Sequence, residues 1–102
     1  MSLKLKKADL DFITKEISNF SEIEKAVVFG SRAKGCSKTG SDVDIALCGS
    51  KIDFNTISRL LYILEETSPM PYFFDIVDYT HLKHLKLKEH INRVGIVIYQ
   101  RH

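Results

Sequence analysis

Along the chain, apolar residues first recur at the spacing of a helix. Leu10, Ile13, Ile17 and Phe20 fall every three or four positions between Ala8 and Phe20, which predicts an amphipathic first helix. Ser21 to Glu24 is polar and predicts a turn, and Lys25 to Phe29 is a short apolar run of strand length. Gly30 ends that strand, Ser31 can cap a short helix to about Lys34, and the Gly, Ser and Thr of residues 35–41 predict a loop. Asp42 to Leu47 then alternates: Val43 and Ile45 face a core, while Asp42 and Asp44 face away from it. A helix capped by Asp53 or Asn55 carries Ile57, Leu60, Leu61 and Leu64 on one side and ends near Ser68, before Pro69. Pro71 to Val77 predicts a third strand, with Phe74 and Ile76 inward and Asp75 outward. Thr80 is a candidate cap for a last helix with Leu82, Leu85, Ile91 and Val94; Gly95 stops it, and Ile96 to Tyr99 closes the chain as a strand. The pattern predicts an α+β fold, a small mixed sheet with helices on one face. Asp42, Asp44 and Asp75 would project from the open face.

Composition narrows this picture without changing it. At 102 residues and 44% hydrophobic content, the chain is expected to form one domain over residues 1–102, burying roughly 60% or more of its unfolded surface. The net charge is only +2 and the basic residues are spread out, so no strong nucleic-acid footprint is expected. No apolar run approaches the roughly 20 residues of a membrane span, and the first residues lack a signal-peptide core; a cytoplasmic protein without membrane partners is expected. Cys36 and Cys48 have neither the number nor the spacing of a disulfide framework or zinc site, so both are expected as free thiols.

The chemistry lies in the acids and in the turn before them. Residues two apart on a strand share a face with about 6.6 to 7 Å between their Cα atoms, so Asp42 and Asp44 can converge on one cation. Spacing alone is not enough: Asp9 and Asp11 have it too, but on a helix they diverge by about 200°. Gly30 and Gly35 are spaced like the ends of a Walker loop, yet Cys36 and Ser37 follow where that loop needs its lysine. What remains is Gly30-Ser31 at a helix start, where free N–H groups and the helix dipole favour an anion, with Arg32 adding positive charge. An anion site opposite Asp42 and Asp44, with Asp75 on a neighbouring strand, matches two-metal phosphoryl or nucleotidyl transfer. Hard oxygen ligands favour two magnesium ions over zinc.

The string GSRAKG, followed by GSDVDIAL and later by FFDIV, resembles the minimal nucleotidyltransferase (MNT) family of the DNA polymerase β superfamily. The resemblance rests on Gly30-Ser31, Asp42-x-Asp44 and Asp75 at the family's spacing, and it extends to the ending RVGIVIYQR. It implies a polymerase-β-like palm, magnesium dependence, and transfer of a nucleoside monophosphate from an NTP, often AMP from ATP. It also implies Asp42, Asp44 and Asp75 as metal-binding catalytic residues. Small members of the family are often paired with a helical HEPN protein in toxin–antitoxin modules, where the nucleotidyltransferase is the antitoxin and some adenylylate a tyrosine of the toxin. Lys34 stands where the family often has Arg. The chain also lacks the further domains with which larger relatives bind the acceptor, so the acceptor is expected to come with a HEPN-type partner or a second copy of the chain.

Plainer readings compete at each position. Asp42 and Asp44 alone could be a solvated strand face, Ser31 a simple cap, and Arg32 half of a structural ion pair. Asp78 competes with Asp75, but their odd separation lets one of them alone share the face of the metal site, and Asp78 is expected to lie past the strand end. His81 and His84 have helical spacing without a third ligand. Lys83, Lys86 and Lys88 read as a solvated face, and Tyr72, Phe73 and Phe74 as core or sheet surface. The main alternative function is a HEPN-binding antitoxin or nucleotide-binding subunit that works by docking with little catalysis of its own. A magnesium-dependent nuclease would leave the Gly30-Ser31 anion site unexplained.

Overall fold

The computed structural model describes residues 5–30, 43–67 and 72–101. In chain order the elements are α1 (Lys7–Ser18), β1 (Lys25–Phe29), β2 (Val43–Cys48), α2 (Phe54–Glu66), β3 (Phe74–Asp78), α3 (Leu85–Val94) and β4 (Ile96–Gln100). The short helix and loop expected across 31–41 lie outside the described residues, as do Cys36, Ser31, Arg32 and Asp42.

The strands form one sheet in the order β3-β2-β1-β4. β1 pairs antiparallel with β2 and with β4, while β2 pairs parallel with β3. The parallel pair needs a crossover, and α2 supplies it. This is the mixed α+β fold that the periodicities predict.

The main core lies on one face. Ala26, Val28, Val43, Ile45, Leu47 and Phe74 of the strands meet Ile13 and Ile17 of α1 and Leu60 and Leu64 of α2. Nine of these ten side chains have no measurable exposure, Phe74 being the exception at 6%. Asp53 caps α2, its carboxylate accepting from the Thr56 N–H at 3.0 Å. The Thr56 hydroxyl donates to Glu22 at 2.7 Å, which ties α2 to the turn before β1.

The expected one-sided cover holds for α1 and α2. α3 is the difference: it packs on the opposite face, where Ile91 clusters with Val27, Phe29 and Ala46. The physical reason is in β1. Residues 26–29 are apolar at both parities, so neither face of that strand can be left in water without cost. Within α3 the buried stripe uses Leu87, Ile91 and Val94; Leu85, expected in that stripe, is 78% exposed. The cap also differs. His84 caps α3, its Nδ1 accepting from the Leu87 N–H at 3.1 Å, whereas the Thr80 hydroxyl accepts from Gly49 N–H at 2.8 Å. His81 precedes the helix and pairs with Asp78 at 2.8 Å, so His81 and His84 do not form a helical pair. Cys48 is a free thiol, and burial pushes its pKa up.

Thr56 makes the stability of this corner pH-dependent. The hydrogen bond from Thr56 holds the Glu22 carboxyl below its ordinary pKa of 4.5, and the Thr56 N–H and hydroxyl do the same for Asp53, ordinarily 3.8. Both shifts are downward, so the stabilisation is complete above those ordinary values and declines as pH falls beneath them toward the lowered folded-state values. The melting temperature is therefore expected to be level from pH 7 to about 5 and to fall below pH 4.5. Thr56→Val, which removes the hydroxyl but keeps the N–H, should flatten the part of that fall due to Glu22 in melts taken across this range.

Candidate functional site

The candidate site forms where β1 ends and β2 and β3 begin. Phe29, Asp44 and Asp75 are consecutive register partners across β1, β2 and β3. Register partners on neighbouring strands point to the same face, and neighbouring strands are about 4.8 Å apart. The two carboxylates therefore lie side by side on the face opposite the main core. Asp44 is half-buried between Val43 and Ile45, both fully buried, and Asp75 is exposed next to buried Phe74.

Two hydrogen bonds hold Asp75 in that row. The Phe74 N–H donates to the Glu65 carboxylate of α2 at 2.7 Å, and the Val43 N–H donates to Phe73 O at 2.8 Å. The last turn of α2 thus fixes the start of β3. Sequence reasoning missed Glu65, because nothing in a helix-terminal glutamate marks it as a clamp on a strand nine residues later.

Gly30 closes the row from β1. Its φ is +79°, a conformation that L side chains rarely adopt. A Cβ placed there would collide with Oδ2 of Asp44. The glycine is needed twice over, for the turn and for the close approach of the backbone to that carboxylate.

Two carboxylates about 5 Å apart repel by roughly 3 kcal/mol at an effective dielectric near 20, less where Asp75 meets water. A divalent cation shared between them would remove this term. The donors are hard oxygens, which fits magnesium better than zinc. Among the described residues no group of three or more His, Cys, Asp or Glu that could hold a metal is found. Of the residues singled out in the sequence, the structure brings together Gly30, Asp44 and Asp75. Asp78, expected past the strand end, is instead the last residue of β3, paired with Leu47; it points away from this row and is engaged with His81.

One feature of the surroundings had no sequence signal. His90 of α3 meets the Phe29 ring edge-on, with ring centroids 6.4 Å apart and planes at 84°. Its position follows from the placement of α3 on this face. No helix among the described residues is long and apolar enough to cross a membrane.

Comparison with known proteins bears on the fold that carries this row. No curated protein matches the chain in sequence. Among solved structures, a toxin–antitoxin with AMP-PNP has a TM-score of 0.74 and 19% identity over 96% of this chain and 76% of that one. The toxin–antitoxin MntA-HepT gives a TM-score of 0.71 and 18% identity, covering 94% of this chain and 74% of that one. A tri-AMPylated Shewanella oneidensis HEPN toxin in complex with MNT antitoxin gives 0.71 and 18%, covering 95% and 74%. At this identity the likeness is one of fold. The family model described as "Polymerase beta, Nucleotidyltransferase" matches residues 11–102, nearly the whole chain. The chain belongs to that nucleotidyltransferase family.

Proposed function

We propose that the protein is a magnesium-dependent adenylyltransferase, moving AMP from ATP to a hydroxyl on a helical HEPN-type partner, and so acts as the antitoxin of such a pair. The observation that carries this reading is the row formed by Asp44 and Asp75 beside the left-handed Gly30. A protein that only docked would have no need to hold two like charges in register. Support for the nucleotide and the partner comes from the neighbours in fold, one solved with AMP-PNP and another with a tri-AMPylated HEPN toxin.

In this reading Asp42, Asp44 and Asp75 would hold two magnesium ions, which would supply positive charge to the reacting phosphate and lower the pKa of the attacking hydroxyl. Gly30 lets the main chain approach the triphosphate, while Ser31 and Arg32 bind its oxygens. The acceptor hydroxyl is oriented on the Asp75 side, and its proton passes to that carboxylate. Its oxygen then forms a bond to the α-phosphorus as the bond to pyrophosphate breaks.

The test is to incubate the protein with labelled ATP, magnesium and the product of the adjacent gene. Label is expected on that partner, and a chelator should abolish transfer. If neutralisation of the partner proceeds with no label transferred, docking is the function instead.

A further inference from the structure

α3 crosses the face that carries the acids, and its two flanks look in opposite directions. Ile91, 3% exposed, points to the sheet. On one flank Lys88 lies with Nζ 5.1 Å from the Tyr79 ring centroid, and Asn92 accepts from the Tyr79 hydroxyl at 2.7 Å. Tyr79 follows the end of β3 and its N–H bonds Leu47 O, so that flank faces the end of the sheet remote from the acids. The other flank carries His90, whose ring meets Phe29. At about 100° per residue, Lys86 falls on the same flank as His90, roughly 40° further round.

Phe29 links this flank to the site. It is the register partner of Asp44 and the residue before Gly30. Paired Cα atoms on antiparallel strands are about 4.5 to 5.5 Å apart, which puts the His90 ring on the order of 10 Å from the Asp44 carboxylate. A triphosphate whose reacting phosphorus is at the acids can reach that far. Phe29 is nearly buried, and its ring stands roughly perpendicular to the half-buried imidazole. Among the described residues the ring nitrogens of His90 have no hydrogen-bond partner.

We infer that His90 contacts the triphosphate of the bound nucleotide, donating a hydrogen bond from its imidazole while Lys86 adds positive charge on the same flank. This rests on the reading of the acid row as a nucleoside triphosphate site. His90 stands on the β1 side of the row, the side of the anion-binding turn, whereas Asp75 marks the acceptor side.

Two variants separate contact from packing. His90→Phe keeps an aromatic ring against Phe29 but removes both nitrogens, and His90→Gln returns an N–H near the position of Nε2. Binding of ATP, GTP, CTP and inorganic tripolyphosphate, each with magnesium, is measured by equilibrium dialysis alongside a thermal melt. His90→Phe is expected to melt like the wild type and to weaken all four ligands about tenfold or more, with His90→Gln recovering much of the loss. If His90→Phe binds all four as the wild type does, the ring serves packing and the inference is overturned. Loss confined to one base would overturn it as well, since the contact would then be with the base. A folded wild type that binds none of the three nucleotides would instead defeat the nucleotidyltransferase reading, and this inference with it.

Discussion

Asp75→Asn is expected to cut label transfer about a hundredfold or more while leaving the fold as stable as before. The substitution is nearly isosteric, and Asp75 is exposed, so no packing is lost. What changes is charge: the row keeps Asp44 and loses its neighbour. Relief of repulsion contributes on the order of 1 kcal/mol once solvent screening is allowed for, so the melting temperature should hold or rise by a few degrees. Asp44→Asn should lose transfer to a similar extent. Because the acids act as one unit, the double variant should be little worse than either alone. Transfer assays and melts on the three variants check this. Near-normal transfer by Asp75→Asn would remove β3 from the site, and a large drop in its melting temperature would mark the residue as structural.

Gly30→Ala should damage stability and activity together. A side chain at φ +79° costs about 1 to 2 kcal/mol, and the added methyl must push the Asp44 carboxylate aside. A loss of about 5 to 15 °C in melting temperature is expected, at roughly 4 to 8 °C per kcal/mol. Transfer should fall at least about tenfold even well below the melt, since Asp44 is displaced. A double-mutant cycle with Asp44→Ala isolates the cause. If the collision is with that carboxylate, the added cost of Gly30→Ala will be smaller in the Asp44→Ala background than in the wild type. Strict additivity would place the harm in the backbone turn alone.

Much of the fold was legible because each element has a clean period. The stripe Leu10, Ile13, Ile17 predicts α1, and alternation around Asp44 predicts which way that acid points. Parity alone prefers Asp75 to Asp78 on the acid face. What could not be read was pairing. That Asp44 and Asp75 are register partners depends on a parallel crossover and on Glu65 bonding the Phe74 N–H, and no local pattern encodes either. The placement of α3 had a signal that a one-sided sheet disregards: Ala26, Val27, Val28 and Phe29 leave no polar face to expose. The start of α3 departs from propensity, which favours threonine as the cap: Thr80 accepts from Gly49 N–H, and His84 caps instead.

Arg101 binds the far end of the sequence to its beginning. Its guanidinium donates to the carbonyl oxygens of Ser18, Phe20 and Ile23, while β4 zips onto β1 just before it. The partners are separated by as many as 83 residues, whereas Asp44 and Asp75 are brought together by one crossover through α2. During synthesis, then, the partners Asp44 and Asp75 are both available while β1 still has an unzipped edge. An arrest of translation before residue 96 would release a chain with that edge open, easy prey for proteases.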